Sequence, residues 1–271
     1  MSNMNGIIAV ASSSFYILAV AGIVPGILSQ KGIPKKVVLV LTGTALSLHS
    51  WLLGDSILYA TDGQNFSILN VASLVSLITS LSVTLMTTRV KLWFLLPIVY
   101  SFAAFNLVMS TFLPVTFTTH LENKPELLVH ISFALSSYST LMVGALYAIQ
   151  LTWLDYKLKN KKALAAINPN IPPLMRVERQ LFKIIPFGNF LLTVTLVTGL
   201  AYNEEITLGQ DIHKSVLSFI SWLLYSVLIW GHYRNGWRGS CANWLTIFGA
   251  LILTLAYFGS RLFKEFFVGY L

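Results

Sequence analysis

The sequence predicts an all-α fold, a polytopic membrane protein built as a bundle of eight transmembrane helices with both termini outside. Three observations predict this class: the composition, eight long windows without charged residues, and the placement of the basic residues. Of the 271 residues, 55% are apolar and only 10% are charged. Soluble domains carry about 25% charged residues. The composition therefore excludes an ordinary soluble domain.

The windows give the predicted helices in order. A helix that crosses a hydrocarbon core of about 30 Å needs about 20 mostly apolar residues. Windows of about this length or longer, all without charged residues, are 1–30, 37–54, 66–88, 92–119, 127–154, 184–203, 215–233 and 239–260. Because lipid offers the backbone no hydrogen-bond partner, each window is predicted to be helical. The first lacks the basic segment of a secretory signal and is interpreted as a retained span.

The basic residues alternate between the two sides of these windows. One side collects 14 of the 18 Lys and Arg with two acidic residues, for a net charge of +12, and the other side has a net charge of −4. Basic loops stay in the cytoplasm. The partition predicts that both termini lie outside, and it explains the overall charge of +8 without a nucleic-acid partner.

The longest connection is the predicted cytoplasmic loop 155–183, within a single transmembrane domain 1–271. It carries seven basic residues, two acidic residues and three prolines. Its two ends can form amphipathic segments held near anionic headgroups, so membrane lipids are expected partners, together with an unidentified membrane protein. A plain solvated loop is the alternative interpretation.

Histidines are the ionisable residues to consider at membrane depth, because no Asp, Glu, Lys or Arg lies at the centre of a window. The lack of a buried carboxylate argues against an ion pump or a proton-coupled transporter. His49 lies in the second window, His130 at the outer end of the fifth and His232 at the inner end of the seventh, while His120 and His213 lie in or near outer loops. A neutral imidazole can bind haem iron or can serve as a hydrogen-bond partner between helices. Both alternatives stay open on the residues alone.

Hydroxyl and amide side chains recur at helical spacing in two windows. These stripes are expected to face the bundle interior, either as hydrogen bonds between helices or as the lining of a polar crevice. They consist of Asn70, Ser73, Ser80 and Thr84 in the third window, and of Ser132, Ser136 and Ser139 in the fifth.

Several kinds of chemistry are excluded or unsupported. Cys241 is the single cysteine, so the chain has no Cys-x-x-Cys motif for dithiol chemistry or for covalent haem attachment. No nucleophile and base stand at a recognisable spacing, and no glycine-rich phosphate loop occurs. We therefore expect a protein that is not an enzyme.

Motifs in the last third and around His130 carry a resemblance. They are Lys214, Ser221–Trp222–Leu223, Tyr225, His232 to Arg234, Gly236–Trp237–Arg238–Gly239 and Tyr257–Phe258–Gly259, with Leu128–Val129–His130–Ile131, Ser137–Tyr138, Asn70 to Ser76, Leu96–Pro97 and Pro172–Pro173–Leu174 elsewhere. With these residues the chain resembles the cytochrome c assembly family of haem-handling membrane proteins, which includes the CcmC, CcsA and HemX types. The resemblance implies a bacterial inner-membrane protein that binds haem and serves cytochrome biogenesis. It also implies that His130 is an outer-face ligand and His232 a membrane histidine.

The chain departs from the haem-exporting members of this family at two places. Those members carry a tryptophan-rich WGxxWxWD stretch before the seventh span, whereas residues 203–213 here read NEEITLGQDIH. Their histidine after the final span is also missing, since this chain ends in FVGYL. The resemblance therefore implies haem binding without the equipment that presents haem to an apocytochrome.

The combined expectation is a non-covalent b-type haem near the outer face, in a protein with a biogenesis, sensing or scaffolding role. His49 lies about 20 Å from the inner end of its span, and its backbone depth differs from that of His130 by about 8 Å. We predict these two as axial ligands of the haem iron, with His120 in reserve. His232, at the opposite face, needs a second haem or has a packing role. The alternative is a haem-free regulatory or accessory protein, as HemX-type relatives suggest.

Overall fold

The computed structural model describes residues 3–28, 32–58, 64–89, 93–113, 118–119, 125–159, 174–202 and 212–259. Within them the chain forms eight α-helices and a short π-helical extension. The helices are α1 (Asn3–Leu28), α2 (Lys35–Leu58), α3 (Ile68–Arg89), α4 (Leu96–Phe112), α5 (Pro125–Lys159), α6 (Leu174–Tyr202), α7 (Ile212–Asn235) and α8 (Ser240–Thr254), which continues as a π-helix over Leu255–Gly259. The all-α class is confirmed for these residues, apart from one strand pair of two residues each.

Seven of these helices are long and apolar enough to cross a membrane, counted over the described part of the chain. The eighth, α4, is a shorter apolar helix of 17 residues, which is about 26 Å long. The polytopic membrane class is thus confirmed. Eight crossings and the outer position of both termini stay predictions.

Helix α4 is shorter than its window 92–119 because prolines bound it. Pro97 stands in the first turn, where a missing N–H costs nothing. Leu113 is extended, with φ −96° and ψ 115°, as expected for a residue that precedes a proline. Pro114 follows it in the sequence.

The helices form two compact units. Unit one contains α1–α4: α1 contacts α2 and α4, and α3 contacts the same two helices. Strands β1 (Gln64–Asn65) and β2 (Thr118–Thr119) pair antiparallel in this unit. Unit two contains α5–α8: α5 contacts α6 and α8, and α7 contacts the same two helices. The expectation of one domain over 1–271 stays a prediction.

The predicted loop 155–183 is shorter than expected, because helices extend into both of its ends. Helix α5 continues to Lys159 and α6 begins at Leu174, while residues 160–173 lie outside the described part. The first turns of α6 are amphipathic, as predicted for this end. Val177 and Leu181 are buried, whereas Arg176 and Arg179 are exposed.

Candidate functional site

His49 lies at the centre of unit one and is fully buried. Its Nε2 is 2.9 Å from the hydroxyl of Ser73, and its Nδ1 is 3.3 Å from the hydroxyl of Tyr16. The ring of Tyr16 also contacts that of Tyr100, whose hydroxyl is 2.8 Å from the hydroxyl of Thr84. We call Tyr16, His49, Ser73, Thr84 and Tyr100 the polar seam. Each of the four helices of unit one contributes at least one of its side chains.

Both ring nitrogens of His49 are therefore engaged within the polar seam. In either neutral tautomer one nitrogen donates and the other accepts, and each has a hydroxyl partner here. To bind iron, the ring would have to give up one of these hydrogen bonds. This geometry supports the hydrogen-bonding alternative for His49 more than the ligand alternative.

The predicted stripe on α3 faces this interior, because Asn70, Ser73, Ser80 and Thr84 are all buried. The stripe on α5 is only partly so. Ser139 is buried, but Ser132 is exposed and donates to the carbonyl of Leu128 one turn earlier in its own helix. A membrane helix satisfies an exposed serine in this way without any neighbour, so spacing alone placed Ser132 wrongly.

Unit two contains a cavity of about 470 Å³ at the end where α5 and α7 begin. Its walls come from all four helices of the unit and are mostly apolar. Its lining includes His130 on α5 and Lys214 on α7. Leu200 and Phe219, which also line it, are exposed, so the cavity opens at the surface. Ligand cavities in proteins typically measure about 300–1,000 Å³.

The imidazole of His130 is oriented by α6. Its Nδ1 is 3.0 Å from Oγ1 of Thr198. That hydroxyl donates its one hydrogen to a carbonyl of its own helix, Val194 at 2.9 Å or Thr195 at 3.1 Å, and so accepts from Nδ1–H. We therefore assign the proton of the neutral ring to Nδ1, which leaves the lone pair on Nε2. This is how proteins prepare histidine for a metal.

Gly199 makes room for this ring. A Cβ atom at Gly199 would lie 3.0 Å from Cε1 of His130 and 3.6 Å from its Nδ1. Nearly any side chain there would push the imidazole away from α6 and from Thr198. The glycine and the threonine together hold His130 against one cavity wall.

These residues fit a haem with one protein ligand. The cavity offers one imidazole, apolar walls for a macrocycle, and a cation for carboxylates. A metal ion held by several side chains is not indicated, since no group of three or more His, Cys, Asp or Glu is found among the described residues. An axial haem ligand needs no such group.

His232 closes the turn between α7 and α8. Its Nδ1–H donates to the carbonyl of Trp237 at 2.8 Å, and its ring stacks on Phe182. Gly236, with φ 67°, takes the left-handed position that ends α7, and N–H of Trp237 bonds back to the carbonyl of Gly231. The geometry supports the predicted packing role of His232.

The structure describes no side-chain geometry for the remaining predicted residues. His120 lies outside the described residues, and nothing is described of the side chain of His213 at the start of α7. His49 and His130 lie in different units, so their pairing on one iron stays a prediction. Sequence reasoning missed Thr198 and Gly199. They could have been flagged only by knowing which helix packs on α5.

Comparisons with known proteins agree with the motifs. A family model described as "Cytochrome C assembly protein" matches residues 38–268. Inner membrane protein YpjD of Escherichia coli is 48% identical over 251 residues, which cover 92% of this chain and 95% of that protein. The cytochrome c biogenesis protein CcsA of Prochlorococcus marinus is 24% identical over 157 residues, about half of each chain. No solved structure matches. The chain is a multi-pass protein of the bacterial inner membrane.

Proposed function

The chain belongs to the cytochrome c assembly protein family, as its motifs predict, and from that membership we propose that it binds a non-covalent b-type haem in the cavity of unit two. The proposed role is in cytochrome biogenesis, or in sensing or scaffolding of haem near the outer face. The observation that carries the proposal is the imidazole of His130, which lines an apolar cavity and is oriented there by Thr198.

The protein's own residues hold and orient the group. Thr198 accepts the Nδ1 hydrogen of His130 and so fixes the tautomer that a metal requires. Gly199 lets the ring lie against α6. The apolar lining excludes water from the macrocycle and favours its transfer from solvent. A bound haem would supply iron for electron transfer or for binding a further ligand.

Covalent attachment is not part of the proposal. Cys241 is exposed in the first turn of α8, whereas the cavity contacts the last turns of that helix. Binding therefore rests on one axial bond, apolar contact and charge. A second axial ligand is not assigned from unit two, and His49 and His120 remain the predicted candidates.

The test is a visible spectrum of the purified protein, from cells supplied with haem and from apoprotein titrated with haemin. We expect a Soret band that acidified organic solvent removes together with the haem, because the attachment is non-covalent. A folded protein that gives no Soret band under either condition would refute haem binding. It would favour the haem-free alternative, in which the protein acts through helix packing and its basic cytoplasmic segments.

A further inference from the structure

We infer that Lys214 makes the cavity of unit two selective for ligands with a carboxylate, so that it takes a tetrapyrrole acid and discriminates against the esterified form. This inference rests on the proposed haem binding and names what the cavity recognises besides iron. It is carried by the arrangement of polar groups around the cavity.

The polar lining falls into two groups on different helices. His130 on α5 and Thr195 on α6 form one group, and Lys214, Ser215 and Ser218 on α7 form the other. Lys214 and Ser218 are four residues apart and share a face of α7. The rest of the lining consists mostly of apolar and aromatic side chains such as Leu192, Val216 and Tyr257. A matching ligand has an apolar body with polar groups at two places.

Both groups lie at one end of the unit. His130 is in the second turn of α5 and Lys214 in the first turn of α7, and both helices start at this end. An iron bound to His130 and an anion bound to Lys214 can therefore belong to one ligand. The two serine hydroxyls beside Lys214 can donate further hydrogen bonds to the same anion.

The positive charge of Lys214 is expected to affect the affinity for a carboxylate, for a physical reason. A carboxylate placed among apolar side chains loses its hydration, at a cost that only a cation and hydrogen bonds offset. A lysine is suited to an apolar cavity, because its methylene stem can pack against apolar side chains while its ammonium meets an anion. An ester has no charge to compensate and gains nothing from the lysine.

The experiment compares haemin with haemin dimethyl ester. Purified apoprotein is titrated with each compound, and Kd is read from the Soret band for the wild type, Lys214→Met, Lys214→Arg and Lys183→Met. Lys183 is exposed on α6 and does not line the cavity, which makes it the matched control. Partitioning of the ester into detergent is the same for every variant. The quantity to compare between variants is therefore the ratio of the Kd for the ester to the Kd for haemin.

We expect the wild type, Lys214→Arg and Lys183→Met to prefer haemin over its ester by the same factor. In Lys214→Met this preference should fall roughly tenfold, which is the contribution of one charge-assisted hydrogen bond. Affinity for the ester should not change. If both compounds bind and Lys214→Met keeps the full preference, the inference is wrong while haem binding stands. If neither compound binds the wild type, both proposals fall.

Discussion

Unit one and unit two treat their histidines in opposite ways. In unit one His49 is sealed in the core, and hydroxyls from α1 and α3 occupy both of its nitrogens. In unit two His130 is half-buried beside a cavity, and one hydroxyl occupies one nitrogen. A histidine at membrane depth therefore does not by itself indicate a ligand. The two rings differ in their surroundings: both nitrogens of His49 contact hydroxyls in the core, whereas His130 lines a cavity.

Both units combine polar contacts between helices with close contacts at glycines: in unit two Asn189 donates to Ser226, and in unit one a Cβ at Gly26 would lie 2.7 Å from Ile33. The polar seam joins the helices of unit one through side-chain hydrogen bonds. In unit two glycines provide close contacts: a Cβ at Gly188 would lie 2.7 Å from Leu141, and one at Gly249 would lie 2.8 Å from Tyr225. Small residues and polar groups are the two means by which membrane helices associate where lipid is as apolar as leucine.

The largest expected effect separates the two histidines. His130→Ala should abolish or shift the Soret band, because it removes the imidazole that lines the cavity, whereas His49→Ala should leave the band in place. Absorption spectra of both variants loaded with haem are the measurement, and His213→Ala is the control. Loss of the band in a folded His49→Ala protein would instead support the predicted axial pair. An unchanged spectrum in both variants would contradict the site in unit two.

A labelling experiment sharpens the comparison by asking which membrane face carries the cavity. Cys241 is exposed at the end of unit two opposite the cavity, and the charge partition places it inside. We expect a membrane-impermeant maleimide to label it only after the cells are permeabilised. Labelling in intact cells would invert the orientation and would place the cavity at the inner face.

The surroundings of two glycines predict different costs for adding a methyl group. A Cβ at Gly231 would overlap the ring of Trp237, whereas nothing lies within 4 Å of one at Gly43 in unit one. Gly231→Ala should lower the free energy of unfolding by about 2–3 kcal/mol. Gly43→Ala should leave it unchanged or raise it by at most about 1 kcal/mol. Unfolding in detergent measures both, and equal values would remove the contrast.

The polar seam predicts a structural cost at His49. His49→Ala leaves the hydroxyls of Tyr16 and Ser73 without their partner and opens a void, so we expect a loss of about 2 kcal/mol. His49→Gln keeps a donor and an acceptor and should lose less. Thermal unfolding of the two variants is the check. A His49→Ala protein as stable as the wild type would show that the seam contributes nothing.

The smallest expected change in stability comes from an exposed ion pair, and it gives a baseline for the other stability measurements. Lys159 and Asp155 form an ion pair of 2.8 Å at the end of α5, with 72% and 40% of their side chains exposed. Exposed pairs contribute little, so Lys159→Ala should change the free energy of unfolding by less than about 0.5 kcal/mol. Asp155→Ala should give the same small value. A change above 1 kcal/mol would mean that this end of α5 is held by more than the described contacts.

Much of this protein could be determined from its sequence alone. Long apolar windows fix where helices form, because lipid forbids an unpaired backbone, and every window overlaps one of the eight described helices. The motifs were sufficient for the family, which the match over residues 38–268 confirms. The interior position of Asn70, Ser73, Ser80 and Thr84 also followed from their spacing.

Only the tertiary structure decided which side chains each histidine contacts. His130 and Thr198 are 68 residues apart and meet because α6 packs on α5; the partners of His49 come from α1 and α3. Helical spacing shows which residues share a face, but it does not show which neighbour that face meets. A cavity is likewise the space that four helices leave unfilled, and no single segment encodes it. The sequence could therefore name the candidate ligands, while packing between helices determined which side chains each imidazole contacts.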